Sequence, residues 1–217
     1  ARGVAPGLTL LATGACGSMI AGLPALRARP LAAFEPLLFT FHFYEPYVFS
    51  HQGARWMSEP FYPVLNAVPW PAAQGDLATT LASVRARMSA LGQPPQGSGA
   101  ATYREAERVL KQYFEAQPAR PFIEGYLRQV AEWARREDIA PGGILMGEVG
   151  ALPSGAGVAA ARAADRARYV RDVRESAEAL GFPWAFWNLF DSMGLMDDLS
   201  RRLDPAMVAV LGLKMPA

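Results

Sequence analysis

The chain of 217 residues is 51% hydrophobic and 19% charged, and its 21 basic residues are balanced by 20 acidic ones. This composition is too apolar for a disordered chain, and the near-neutral charge gives no electrostatic footprint for nucleic acid. The length suits one large domain or part of a larger one, and no apolar run reaches the roughly 20 residues that span a membrane.

Four short apolar runs, each preceded by Pro or Gly, predict buried β-strands. In chain order they are residues 8–13, 37–44, 143–149 and 183–189. Residues 45–75 form a long connection that is rich in Pro and aromatic side chains. A connection of this length inside a compact domain is usually functional, so we expect a role for it in binding or catalysis.

Helical periodicity and capping residues predict five helices between and after these strands. They cover residues 76–91, with Asp76 as N-cap, then 102–116, 121–138, 158–180 and 204–212. Buried strands that alternate with helices indicate βαβ units and a parallel sheet, so the predicted fold class is α/β. Four strands are half of a (β/α)8 barrel, and they cannot close a barrel by themselves.

Polar side chains fall at the carboxyl ends of the predicted strands, where ligands gather in α/β folds. His42, Tyr44 and Glu45 end the second strand, Glu148 ends the third and Trp187 ends the fourth. Because parallel strands place these ends along one edge of the sheet, we expect the side chains to form one site.

Glu148 is the strongest single candidate for chemistry. A carboxylate in an apolar strand is costly to bury unless it is paired or used. Strand alternation predicts that Ile144, Met146 and Glu148 share the face toward the barrel axis, and that His42 and Tyr44 share one face of the neighbouring strand. A Tyr hydroxyl or a His ring beside the carboxylate would hold it ionised and oriented. The alternative is a structural Glu with a local partner.

Aromatic side chains on the strand ends and in the long connection suit the C–H faces of sugar rings. They include Trp56, Trp70 and Trp187, with Tyr44 and Tyr47. The alternative is that these rings belong to the core or hold the connection in place. Metal chemistry is disfavoured, since Cys16 is the single cysteine and His42 and His51, nine positions apart, are the only histidines.

Four segments together resemble cellulase-like enzymes of glycoside hydrolase family 5. TFHFYEPYVFSHQGARW, residues 40–56, resembles the end of strand six and the loop after it, and ILMGEVGA resembles the strand-seven nucleophile motif. PWAFWNL resembles strand eight, and TLLATGACGSMIAGLPAL resembles strand five and its loop. The resemblance implies that residues 1–217 are the C-terminal half of a (β/α)8 barrel, a partial catalytic domain without its N-terminal half.

The resemblance also implies roles for individual residues. Glu148 would be the catalytic nucleophile, and His42 and Tyr44 would flank it in the −1 subsite, with Tyr44 donating to the carboxylate. Trp187 would stack on the −1 sugar, and His51 and Trp56 would line the cleft. The implied partner is a β-glucan or related polysaccharide, without a cofactor or metal, and the implied location is secreted or periplasmic.

The chain departs from the family in one important respect. Family members carry a general acid/base Glu in an Asn-Glu-Pro motif at the end of strand four, and this motif does not occur here. Retaining hydrolysis needs two carboxyls, so we expect the isolated chain to be inactive or very weak unless Glu45 serves as acid. The alternative is a non-catalytic half-barrel that binds glucan, pairs with a complementary half-barrel or forms a dimer with itself.

Overall fold

Three β-strands form one parallel sheet in the order β1-β2-β3: β1 (Leu10–Thr13), β2 (Leu37–Phe43) and β3 (Ile144–Val149). The computed structural model describes residues 3, 7–155, 157–197 and 199–215. These residues separate into two compact units, each with its own internal packing. The first comprises Ala1–Phe43, Phe122–Val149 and Val173–Trp187, and the second comprises Tyr44–Pro121, Gly150–Asp172 and Asn188–Ala217.

The α-helices of the described ranges confirm most of the predicted helices. They are α1 (Tyr47–Ser50), α2 (Leu77–Ala90), α3 (Ala100–Ala116), α4 (Arg120–Glu137), α5 (Ala163–Ala179) and α6 (Pro205–Val210). Asp76 caps α2 as predicted, since its Oδ1 accepts the Thr79 N–H at 2.8 Å. The predicted start of α5 at residue 158 is too early, because Val158 and Ala161 form backbone bridges to Gly155 and Pro153. None of the helices in these ranges is long and apolar enough to cross a membrane.

One face of the sheet packs on helices within the first unit. Phe39, Phe41 and Phe43 alternate along β2 and are buried on this face. Phe39 meets Trp133 of α4 edge-on with ring centroids 5.4 Å apart, and Phe43 meets Tyr126 of the same helix at 6.1 Å. Side chains at alternate strand positions share a face, so the opposite face of β2 carries Thr40 and His42.

A β-bulge at Gly147 breaks the alternation of β3. Phe41 pairs with Met146, but His42 pairs with Glu148, so Gly147 is an extra residue on β3. Glu148 therefore shares a face with His42, while Met146 lies on the buried face with Phe41. The prediction that Met146 and Glu148 share a face is wrong, because simple alternation takes no account of the bulge.

The fourth predicted strand runs beside β3 without forming a regular strand. Trp184 makes a parallel bridge to Met146, and the Trp187 N–H donates to the Val149 carbonyl at 2.9 Å. Pro183 has no N–H to donate and offers only its carbonyl, which accepts from the Met146 N–H. The segment thus takes the predicted place in the sheet with fewer ladder bonds than a regular strand.

The connection at residues 45–75 carries a core of its own in the second unit. Phe49, Trp70 and Tyr169 are buried, and their ring centroids lie 5.0 to 5.6 Å apart. The Trp70 Nε1–H donates to Asp172 Oδ2 at 2.9 Å. Gln52 fixes the Val68 backbone, accepting its N–H at 2.8 Å. Trp70 therefore belongs to the core, which is the alternative that the sequence left open for the aromatic residues.

Candidate active site

His42 and Glu148 form a side-chain pair near the carboxyl ends of two adjacent parallel strands. The His42 Nδ1 lies 3.3 Å from Glu148 Oε2, and the two side chains are 25% and 20% exposed. Their strand pairing places both on the same face of the sheet. Among the strand residues that the structure describes, Glu148 is the only carboxylate. The structure thus confirms that these two predicted residues lie together.

The backbone around this pair is fixed on both sides. The His42 N–H donates to the Ser18 carbonyl at 2.7 Å, and Met19 makes a parallel bridge to His42, so the loop after β1 holds the end of β2. Gly147 lies between the strands, where an added Cβ would be 2.6 Å from Thr40 Oγ1 and 3.6 Å from His42 Cδ2. A Cβ at this position would overlap Thr40 Oγ1, while the His42 ring stays at ordinary contact distance, so the bulge favours a glycine.

Trp187 lies next to the end of β3 through its backbone bond to Val149. Its side chain is 45% exposed, which is unusual for so large an apolar group. An exposed indole at the carboxyl end of the sheet offers a flat apolar surface to a ligand. Its predicted contact with a sugar stays a prediction.

In the second unit, His51 sits among four aromatic rings, and we call these five residues the His51 cluster: Tyr44, Tyr47, His51, Trp56 and Tyr62. The Tyr47 ring stacks on His51 at 4.4 Å and 12°, and Tyr44 meets His51 edge-on at 5.1 Å. His51 is 6% exposed, and this burial lowers its pKa to about 4. The imidazole is therefore neutral at neutral pH.

Trp56 and Tyr44 differ strongly in solvent exposure within the His51 cluster. The Trp56 ring centroid lies 6.2 Å from that of His51, and its side chain is 54% exposed. Tyr44 is buried, which makes it a packing partner of His51. The structure thus joins three predicted site residues, Tyr44, His51 and Trp56, in one cluster. The predicted hydrogen bond from Tyr44 to Glu148 stays a prediction.

Glu45 lies directly after Tyr44 and is partly buried. Its Oε2 accepts the Tyr44 N–H at 3.1 Å, and its backbone carbonyl accepts the Tyr169 hydroxyl at 3.1 Å. Burial raises the pKa of the Glu45 carboxyl, against the lowering effect of the Tyr44 N–H. Glu45 thus holds a proton more readily than an exposed Glu does, which is the property that an acid catalyst needs.

A cavity of about 640 Å³ opens in the second unit beside Trp56. Its walls come from the loops at residues 152–158 and 191–205, with Arg166 of α5 behind them. Arg166 is buried, and its guanidinium donates to the carbonyls of Ala151, Met193 and Gly194 at 2.8 to 2.9 Å. Burial lowers its pKa to about 10, so it remains charged at neutral pH.

Comparison with known proteins identifies endoglucanases as relatives at low sequence identity. Endoglucanase 3 of Fibrobacter succinogenes is 22% identical over 175 residues, which are 80% of this chain and 23% of that protein. A hyperthermophilic endo-β-1,4-glucanase, solved in complex with substrate, is 23% identical with a TM-score of 0.63 and covers 97% of this chain. No protein-family profile matches the chain.

Two further solved structures have similar scores. The clostridial cellulose synthase subunit Z of Clostridioides difficile is 20% identical, with a TM-score of 0.64 over 97% of this chain. Endoglucanase Cel5A of Thermotoga maritima is 17% identical, with a TM-score of 0.61 over 94%. The chain spans 47% to 51% of the length of these three solved structures.

The chain has the fold of half an endoglucanase barrel. The predicted resemblance to the C-terminal half of cellulase-like endoglucanases is thereby confirmed, as is the predicted partial (β/α)8 architecture. Among the described residues of this half-barrel, no group of three or more His, Cys, Asp or Glu is placed to hold a metal ion.

Sequence reasoning missed three residues that shape this half-barrel. Gly147 sets the bulge, Arg166 holds two loops and Ser50 contacts His51. The pair Gly147-Glu148 within an apolar run was a signal for a bulge, since an isolated Gly in a strand often marks one. Arg166 has no comparable signal, because α5 carries several Arg residues at similar spacings.

Proposed function

We propose that the chain is the nucleophile-bearing half of a retaining β-glucan hydrolase. The observation that carries this proposal is the His42–Glu148 pair, 3.3 Å apart near the carboxyl ends of β2 and β3. In a (β/α)8 fold this edge of the sheet holds the active site. The endoglucanase names of the similar proteins support the same class of reaction.

In the proposed reaction, Glu148 attacks the anomeric carbon of a β-glycosidic bond and forms a covalent glycosyl-enzyme. A general acid gives its proton to the departing oxygen, and water then hydrolyses the intermediate. His42 contributes by holding the carboxylate in place, because an Nδ1–H directed at Oε2 fixes its orientation toward the substrate. Trp187 and Trp56 each offer an exposed indole face on which a pyranose ring packs.

The Asn-Glu-Pro motif that carries the general acid in the enzymes that this sequence resembles does not occur in these 217 residues. An alkoxide leaving group departs slowly without a proton donor, so the 217 residues alone are proposed to hydrolyse β-glucan very weakly or not at all. The raised pKa of Glu45 makes it the alternative acid. The polysaccharide substrate, the complementary half-barrel that brings the acid and a secreted or periplasmic location are parts of the same proposal.

The proposal is tested in the full gene product that contains this chain. Glu148→Gln keeps the shape of the side chain and removes its nucleophilic charge, so hydrolysis of carboxymethylcellulose should fall roughly 10³-fold or more. Glu105→Gln is the matched control, because Glu105 is half exposed on α3 and pairs with Arg108 of the same helix. Undiminished activity of Glu148→Gln, with an unchanged Glu105→Gln, would refute the proposal.

A non-catalytic, self-associating half-barrel is the second candidate, and the first strand favours it. Within the described residues, β1 pairs with β2 alone, and Leu11 on this edge strand is 58% exposed. An open edge of this kind pairs readily with another strand. Light scattering of the 217-residue chain with and without cellotetraose separates the candidates, since a stable dimer that binds glucan without hydrolysing it supports the second.

A further inference from the structure

We propose that Ser50 is a positioning residue for His51: its hydroxyl selects the His51 tautomer protonated at Nδ1, and this leaves Nε2 as an acceptor for a sugar hydroxyl. The choice of tautomer follows from contacts within the second unit alone. The choice of ligand rests on the proposed function. The two parts are therefore tested separately.

The hydrogen bonds of Ser50 determine the direction of its proton. Ser50 Oγ lies 2.5 Å from the Tyr44 carbonyl oxygen and 2.9 Å from His51 Nδ1. A carbonyl oxygen only accepts, so the single hydroxyl hydrogen of Ser50 is donated to Tyr44. The oxygen of Ser50 then has only lone pairs to offer to His51. A hydrogen bond to Nδ1 requires that Nδ1 carry the proton.

Because Ser50 and His51 are both buried, water cannot replace a hydrogen bond that the wrong His51 tautomer would lose. Ser50 is fully buried and His51 is almost so, so the ring is kept neutral and has one N–H. If that N–H were at Nε2, two lone pairs would face each other between Ser50 and His51, or Ser50 would abandon the Tyr44 carbonyl. Either change leaves a buried polar group without its hydrogen bond, which is unfavourable.

Two neighbouring tyrosine rings pack directly against the His51 imidazole. The stacked Tyr47 ring covers one face of His51, and the Tyr44 ring meets it edge-on. Among the described residues, the titratable side chains whose rings contact the imidazole are Tyr44, Tyr47 and Tyr62.

The free lone pair gives His51 a defined preference for its ligand. Among the residues that the structure describes, none donates a hydrogen bond to Nε2, and the exposed Trp56 ring lies beside the imidazole. A lone pair next to an exposed indole matches a pyranose, which brings a hydroxyl donor and a C–H face on one molecule. A ligand group that carries only acceptors gains no hydrogen bond from this lone pair.

The tautomer is read directly by NMR on the protein labelled with ¹⁵N-histidine. Two-bond ¹H–¹⁵N spectra at pH 7 should show His51 with a pyrrole-type Nδ1 and a pyridine-type Nε2, and His51→Gln assigns the signals. Ser50→Ala should convert His51 to a mixture of tautomers, and Ser50→Thr, which keeps the hydroxyl, should restore the single form. A pyridine-type Nδ1 in the wild type, or an unchanged spectrum in Ser50→Ala, would overturn the inference.

The ligand is tested by calorimetric titration with cellotetraose. Loss of one hydrogen bond corresponds to roughly a 3- to 10-fold weaker affinity, so this is the change expected for Ser50→Ala, with Ser50→Thr close to the wild type. Unchanged affinity in Ser50→Ala, with weaker binding in Trp56→Ala, would refute the role of Nε2. If the wild type binds no cellotetraose while the NMR result holds, the failure lies with the proposed function and with the sugar as ligand.

Discussion

Single residues decide the geometry of the proposed nucleophile. Glu148 faces His42 because Gly147 adds one residue to β3, and no other side chain fits between Thr40 and His42. Apolar runs and the strand-end position were enough to predict Glu148 and His42 from the sequence. An isolated Gly147 in an apolar run is a sequence signal for a bulge, but its place in the ladder depends on the register against β2, which is set by contacts about a hundred residues away along the chain.

Gly147→Ala tests the requirement for a glycine at the bulge. Its Cβ would overlap Thr40 Oγ1, so we expect a loss of about 1–3 kcal/mol in the free energy of unfolding, measured by urea denaturation. Activity of the full gene product should fall as well, since Thr40 or the β3 backbone must shift beside the His42–Glu148 pair. Gly142→Ala is the matched control, because a Cβ there meets nothing within 4 Å. Equal stability of both variants would contradict this reading of the bulge.

The buried His51 predicts a stability that depends on pH. Its pKa is lowered to about 4 in the folded protein, from about 6.5 in the unfolded chain, so the unfolded state binds more protons between these values. Folding stability attributable to His51 is therefore complete above pH 6.5 and is lost as the pH falls toward 4. The full effect is about 3 kcal/mol.

Urea unfolding between pH 4 and pH 7 measures this dependence. The wild type should lose more stability than His51→Gln across this range, because Gln does not titrate and Glu45 is common to both proteins. The difference between the two curves isolates His51 from the carboxyls. Parallel curves would show that the folded protein accepts a proton on His51 without cost.

At the scale of elements, the strands and helices followed from apolar runs, periodicity and caps, and their places agree with the structure. The main exception is a segment whose backbone makes fewer ladder hydrogen bonds than its strand-like sequence predicts. Residues 183–189 have the composition of a strand, but they form few ladder bonds to β3, and the Asn188 and Leu189 carbonyls accept from Leu195 and Met196 instead. The contacts of Arg166 were not predictable from local pattern, since its three carbonyl partners lie in two loops that are distant from each other along the chain.

Arg166→Met tests how α5 supports these loops. Removing the guanidinium leaves the carbonyls of Ala151, Met193 and Gly194 without their donor, so we expect a loss of about 3–5 kcal/mol in unfolding free energy. Arg171→Met on the same helix is the control, because Arg171 is half exposed and lies 3.8 Å from Asp172, and its effect should be below about 1 kcal/mol. Similar losses in thermal or urea unfolding for both variants would contradict the proposed support.

At the scale of the whole molecule, the chain matches about half the length of the solved endoglucanases. The likeness shows the fold, while the reaction is proposed from the His42–Glu148 pair. We predict that the 217 residues alone release almost no reducing sugar from carboxymethylcellulose, because no established acid accompanies Glu148. Turnover by the isolated chain that disappears in Glu45→Gln would instead identify Glu45 as the acid.

The most direct test of the proposed nucleophile is covalent trapping in the full gene product that contains this chain. A 2-deoxy-2-fluoro-cellobioside with a good leaving group slows the hydrolysis of the glycosyl-enzyme, so the intermediate accumulates without help from the acid. Mass spectrometry of the digested protein should locate the sugar on Glu148. A sugar on another carboxylate, such as Glu45, or complete labelling of Glu148→Gln, would contradict the assignment.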